Sequence, residues 1–206
     1  MSMRSLLPAA VMILAPVALA ADAPPEAVAA WEAMSQVRSL QAKFVQVQHR
    51  SLLSKPLESS GTLAFTRPDR ILWRVEQPAA SVFVIDGTKV GMAYPDLGVR
   101  EEMDLEGNPD AERLTRGLMV WLAGDLAQVT RDYHVAWQAG PPSVATLTPK
   151  DETLAALLSK LELTVSGDPP TVDAVVMHEP DGDRVEITLT DLVLDPNLPP
   201  DTFKLP

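Results

Sequence analysis

Residues 61–94 read GTLAFTRPDRILWRVEQPAASVFVIDGTKVGMAY, and the breaks Arg67-Pro68, Gln77-Pro78 and Asp86-Gly87 cut this stretch into strand-length runs. In the first run Leu63 and Phe65 share one face, with Thr62, Ala64 and Thr66 on the other. The second places Ile71, Trp73 and Val75 together against Leu72, Arg74 and Glu76. A third, Ser81 to Ile85, is apolar at nearly every position, and Asp86-Gly87 turns the chain into Val90, Met92 and Tyr94. Period-two alternation bounded by Pro, Asp and Gly predicts antiparallel strands joined by hairpins. Asp-Gly is the strongest of these turns, because Gly takes positive φ at no steric cost. The stretch therefore predicts a curved antiparallel sheet with a large apolar inner face.

Upstream, Val28, Trp31, Met34 and Val37 recur every third residue behind Pro24-Pro25-Glu26, which predicts an amphipathic helix over 25–38. Alternation from Leu40 to His49 predicts the first strand, and 51–56 a hairpin tip. Downstream, Leu97 to Met103 reads as a strand and 104–109 as a connector. A second helix starts at Asp110, with Leu114, Leu118, Trp121 and Leu122 on one face and Gly124 as its stop. Further strands are expected at 133–138, 144–148, 161–166, 172–178 and 184–190, with a short helix within 151–159. The proline-rich tail from Asp195 to Phe203 is expected along a sheet edge. About ten or eleven strands with two or three inserted helices make an α+β domain, its helices covering the concave side of the sheet.

The chain opens with Arg4, an apolar run from Leu6 and the small-residue site Ala18-Leu19-Ala20. This pattern predicts a secretory signal peptide over residues 1–20 and one mature domain over 21–206. The run is shorter and richer in Ala and Pro than a membrane span, which needs about 20 apolar residues. The 206 residues include no Cys, which excludes disulfides, thiolate metal sites and a lipid-modified cysteine. A net charge of −11 disfavours nucleic acid as a partner and general adhesion to anionic lipid. A monomer in the periplasm is expected.

Nothing in the chain converges as catalytic groups do. His49, His134 and His178 fall in separate strand patterns, and neither H-x-x-x-H nor H-E-x-x-H spacing occurs. The acidic run Glu179-Pro180-Asp181-Gly182-Asp183 lacks the ligand spacing of a calcium loop and reads as a hairpin turn. Phosphate-binding loops and nucleophile elbows are also missing. The expectation is a protein without enzyme activity, catalytic residues, metal or cofactor.

Taken in order, several segments resemble the LolA family, the periplasmic carriers of outer-membrane lipoproteins. They are Leu40-x-Ala42-x-Phe44-x-Gln46, Gly61-x-Leu63-x-x-x-Arg67-Pro68-x-x-x-x-Trp73, Gln77-Pro78, Asp86-Gly87 with Tyr94-Pro95, Leu147-Thr148-Pro149-Lys150, and Phe203. The resemblance implies an unclosed, strongly curved antiparallel barrel with helices as a lid over an apolar cavity. It implies a chaperone that binds the acyl chains of lipoproteins and carries them from the inner to the outer membrane. Its partners would be an inner-membrane Lol-type ABC transporter and an outer-membrane acceptor lipoprotein. On this reading Leu63, Phe65, Ile71, Trp73 and Phe83, with the lid residues Leu114, Leu118 and Trp121, line the lipid site. Arg67, of the same parity as Leu63 and Phe65, matches the family arginine that holds the lid by hydrogen bonds to lid-helix backbone. At about 0.8 kcal/mol per buried CH₂, a chain of about 16 carbons is worth on the order of 10 kcal/mol, enough to hold cargo without any catalytic group.

Two departures bear on cargo. Gly91-Met92-Ala93 stands where family members carry more bulk, which predicts a wider or reshaped cavity, and the sequence stops at Lys204-Leu205-Pro206 without the further C-terminal segment of many carriers. The same pattern also fits a carrier of another lipid, such as a fatty acyl ester or glycolipid precursor, or a periplasmic module that senses lipid or peptide and regulates a membrane partner.

Overall fold

The computed structural model describes residues 23–107 and 120–206. The expected signal peptide and most of the expected second helix, including Leu114 and Leu118, lie outside the described residues. Six strands follow the first helix, α1 (Pro25–Gln36). They are β1 (Ser39–His49), β2 (Leu57–Thr66), β3 (Arg70–Gln77), β4 (Ser81–Asp86), β5 (Lys89–Tyr94) and β6 (Val99–Asp104). Helical residues Val120–Ala123 (α2) and helix Leu126–Asp132 (α3) lead into β7 (Tyr133–Gln138) and β8 (Ser143–Pro149). The short helix α4 (Glu152–Ala155) precedes β9 (Lys160–Ser166), β10 (Thr171–His178) and β11 (Arg184–Leu194).

Among the described residues, eleven strands form one sheet in the order β6-β5-β4-β3-β2-β1-β11-β10-β9-β8-β7. Every neighbouring pair is antiparallel, and the chain's two meanders join through the two longest strands, β1 and β11. Edges β6 and β7 do not pair with each other, so the barrel stays open. Register shifts at Gln41/Lys43, Ser60/Gly61 and Val172/Ala174 bend the central strands, as bulges do. Gly61 is required at one of them, since a Cβ there would stand 1.8 Å from the Arg74 carbonyl oxygen.

Helix α1 starts with Pro25, whose missing N–H costs nothing at a helix N-terminus, and carries Glu26 in its first turn. Ala27, Trp31 and Met34 form its buried stripe and press on the inner face of the sheet. Nearly all the core lies there: Phe44, Leu63, Phe65, Ile71 and Ile85 from the first meander, and Leu147, Leu161, Leu163, Val175 and Ile187 from the second.

A second, smaller cluster occupies the outer face of β2–β4 and corrects two expectations. Ala64, Leu72, Val82 and Val84 are covered there by Phe203, with Leu198 and Leu205 packed against them. The tail thus lies across the outer face, not along an edge. This explains the uninterrupted apolarity of β4: Phe83 and Ile85 point inward while Val82 and Val84 point out under the tail. Gly91 and Ala93 pair with Val84 and Val82 and so also face outward. A Cβ on Gly91 would meet the Leu205 side chain at 3.0 Å, so the missing bulk makes room for this chain's own tail and does not widen the inner hollow.

Candidate functional site

Where β2 ends, Arg67 folds back toward the C-terminal end of α1. Its Nε donates to the Val37 carbonyl at 2.7 Å and its Nη2 to the Met34 carbonyl at 3.1 Å, while its backbone N donates to Arg38 O at 2.9 Å. Carbonyls at a helix C-terminus lack intrahelical donors and carry the negative end of the helix dipole, so a guanidinium suits them. Burial pushes the Arg67 pKa down, opposed by the Asp125 carboxylate. On its other side stands Gly124, at φ +54° between α2 and α3, where a Cβ would come within 3.0 Å of Nη2. One side chain therefore ties the end of β2 to α1 and abuts the α2–α3 break.

Beneath this junction is a cavity of about 40 Å³, whose lining includes Met34, Phe65, Arg67, Trp121, Leu122 and Leu189. That is room for only a few water molecules, far short of an acyl chain. Of the residues read from sequence, Phe65, Arg67 and Trp121 line this cavity. Leu63 and Ile71 sit in the inner-face core at 0% and 4% exposure. Trp73 and Phe83 are half-buried on the same face, Trp73 stacked on Phe44 with ring centroids 4.1 Å apart. Sequence reading missed Met34, Leu122, Val172, Leu189, Leu192 and Leu194 as lining. The alternation in β11 could have pointed to Leu189; no local signal marks the Met34 and Val37 carbonyls that Arg67 engages.

The inner face does not end where the helices do. Cross-strand pairing aligns Ala42, Leu63, Trp73, Phe83 and Met92 in one row and Leu40, Phe65, Ile71, Ile85, Val90 and Met103 in the next. Burial fades along both rows: Leu63 and Phe65 are enclosed, whereas Met92 on β5 is 37% exposed and Met103 on the edge strand β6 is 58% exposed. An apolar ramp thus runs from the cavity neighbourhood to β6.

Other polar clusters have local partners. Glu179, Asp181 and Asp183 bring carboxylates within 4.8 Å of one another in the β10–β11 turn, and Arg50 Nη1 lies 2.6 Å from Glu179 and 3.5 Å from Asp183. His49 pairs with Glu186 and His178 with Glu162, each at 3.1 Å, while His134 lies on β7.

An open half-barrel with helices packed on its apolar inner face defines a class of folds that shelter nonpolar surface from water. The chain belongs to the LolA family, the outer membrane lipoprotein carrier proteins, whose family model matches residues 35–206. An outer-membrane lipoprotein carrier protein of Pseudomonas fluorescens is 27% identical over 198 residues, spanning 93% of this chain and 89% of the relative. One from Chromohalobacter salexigens is 29% identical over 152 residues, 72% of this chain and 68% of that protein. Among solved structures, that of MucB superposes with a TM-score of 0.52 at 14% identity, covering 89% of this chain and 64% of that one, a likeness of fold. Among the described residues, no helix is long and apolar enough to cross a membrane.

Proposed function

We propose that this protein is a periplasmic carrier that shields the acyl chains of outer-membrane lipoproteins on its inner face, with Arg67 as the gate. The observation that carries the reading is the Arg67 tie to the Met34 and Val37 carbonyls above the apolar inner face. Family membership and the names of the relatives support it.

An acyl chain does not fit the cavity of about 40 Å³ beneath Arg67, so cargo entering there displaces protein side chains. The groups that occupy the hollow, Trp31 and Met34 on α1 and Trp121 on α2, are themselves apolar, and Trp31 and Met34 leave together if α1 swings away. Bound acyl chain then replaces side chains already out of water, and the gain on loading is partly offset by the loss of closed-state contacts. That near balance makes release possible, since a ligand shifts the equilibrium only by its difference in affinity for the two states. Leu63, Phe65, Ile71, Trp73 and Phe83 supply the wall and Trp121 the lid. The work is binding and release, with no reaction. Residues 21–206 act as one domain after removal of residues 1–20, loaded by an inner-membrane Lol-type ABC transporter and unloaded by an outer-membrane acceptor lipoprotein.

The test is a donor-to-acceptor transfer assay with Arg67→Leu. The variant should accept lipoprotein and pass it on at least about tenfold more slowly, because the closed state that expels cargo loses charge-assisted hydrogen bonds. Transfer at the wild-type rate would remove the gate. Fatty acyl esters and glycolipid precursors present the same apolar chemistry, so native mass spectrometry of the periplasmic protein identifies the cargo.

A further inference from the structure

Leu52, at the tip of the hairpin between β1 and β2, is 96% exposed, and Leu53 and Leu57 beside it are 45% and 52% exposed. Residues 51–57, SLLSKPL, carry one charge, Lys55, and no acid. The tip stands on a fixed base. Leu53 N donates to Arg50 O at 2.9 Å, and Ser51 N donates to Asp183 Oδ1 at 2.7 Å. Arg50 Nη1 lies 2.6 and 2.7 Å from the Glu179 carboxylate oxygens, which ties the hairpin to the β10–β11 turn. The three leucines are therefore presented from an ordered frame, and much of the ordering cost of binding is already met.

Next to them lies an open basin of about 300 Å³ whose lining includes His49, Arg50, Lys55 and Arg184 and no acidic residue. Glu186 pairs with His49 and Arg184 from the sheet, and Glu179 and Asp183 with Arg50; Lys55 lies on the exposed hairpin tip. In a chain of net charge −11, an exposed tip of three leucines and one lysine without a carboxylate among residues 51–57 is a local exception.

We infer that the β1–β2 hairpin tip docks on an anionic phospholipid bilayer. Leu52, Leu53 and Leu57 enter the boundary between headgroups and acyl chains, and lipid phosphates lie beside Lys55. Lys55 can bury its stem while its ammonium stays among the phosphates. The contact is transient: even a single covalent acyl chain gives only marginal membrane binding, and three leucines bury less. The carboxylates of the neighbouring β10–β11 turn, Glu179, Asp181 and Asp183, are repelled by anionic lipid, so contact is confined to the hairpin tip. The inference does not depend on the identity of the cargo.

The chain has no Cys, so Ser54→Cys offers one site for an environment-sensitive NBD label. Protein purified from the periplasm would be mixed with cargo-free vesicles of phosphatidylethanolamine and phosphatidylglycerol, with phosphatidylcholine vesicles as the second arm. Unlabelled protein would be followed by flotation. Expected are a blue-shifted NBD emission and flotation on the anionic vesicles. The double change Leu52→Ser with Leu53→Ser should lower the bound fraction about tenfold. Lys55→Glu should weaken binding to anionic vesicles and not to phosphatidylcholine. Leu97→Ser, which alters a residue 74% exposed outside the hairpin, should bind as wild type. The proposal is overturned by an absent shift, by undiminished binding of the double variant, or by an equal loss in Leu97→Ser. It is likewise overturned if the emission shifts with protein concentration in the absence of vesicles, which would mark the tip as a contact between copies.

Discussion

Arg67 and Gly124 form a junction whose two halves come from distant parts of the chain. The guanidinium reaches α1 because Gly124 has no side chain in its way and adopts φ +54°, a region that favours glycine. Gly124→Ala both strains the backbone and pushes a methyl group against Nη2. The expected cost is at least about 1 kcal/mol, which lowers Tm by roughly 2–4 °C for a chain of this size. Thermal melting followed by circular dichroism measures it; an unchanged Tm would mean that the α2–α3 break does not constrain the guanidinium. Arg67 was legible in the sequence by its parity with Leu63 and Phe65. Its acceptors were not, because a backbone carbonyl has the same signature at every residue.

At the level of elements, the tail from Leu198 to Leu205 explains why β4 lacks a polar outer face. Phe203 is 4% exposed, and the Arg70 guanidinium carbon stands 4.8 Å from its ring centroid while Arg70 also pairs with Asp86 at 2.7 Å. Arg100 donates to the Leu205 and Pro206 carbonyls at 3.2 and 3.1 Å, fastening the tail to β6. Gly91→Leu should expel Leu205 and expose residues 203–206 to carboxypeptidase with the sheet intact, whereas continued protection would show that the tail does not need this gap. Phe203→Ala should cost about 3 kcal/mol of stability by urea unfolding, in the range of a buried aromatic lost. The sequence showed β4 to be apolar on both sides, but not which segment lay on each side.

For the molecule as a whole, acid sensitivity follows from a few carboxylates that hold the sheet together. Asp195 accepts backbone hydrogen bonds from Arg38 at 2.8 Å and Ser39 at 3.1 Å, pinning the start of β1 to the end of β11, and these bonds hold its pKa below the usual carboxylate range. Asp183, Glu162 and Glu186 are also held low, Asp183 chiefly by the Ser51 backbone N–H, Glu162 by Lys160 and Glu186 by Arg184. A group whose folded pKa lies below its unfolded value stabilises fully above the unfolded value, and that contribution disappears as pH falls through the folded one. Asp195→Asn keeps the acceptor and the tolerance for φ 49° but removes the charge. Wild type should exceed this variant in stability near neutral pH, and the gap should close below about pH 4. Urea midpoints across pH measure the gap; one that is constant down to pH 3 would mean that the charge contributes nothing.

Alternation within single runs was enough to determine the strands and the membership of Leu63 and Phe65, and of Ile71 and Trp73, in one face of their strands, and helical spacing determined α1, because such spacings are local properties of a chain. Tertiary structure alone decided what covers each face: α1 and Trp121 within, Phe203 and Leu205 without. It also left a cavity of about 40 Å³ beneath Arg67 and turned Gly91 and Ala93 outward. These outcomes depend on contacts between segments far apart in sequence, where any apolar segment of suitable length could bury the same surface. Only the assembled sheet, with its bulges and its register, selects among them.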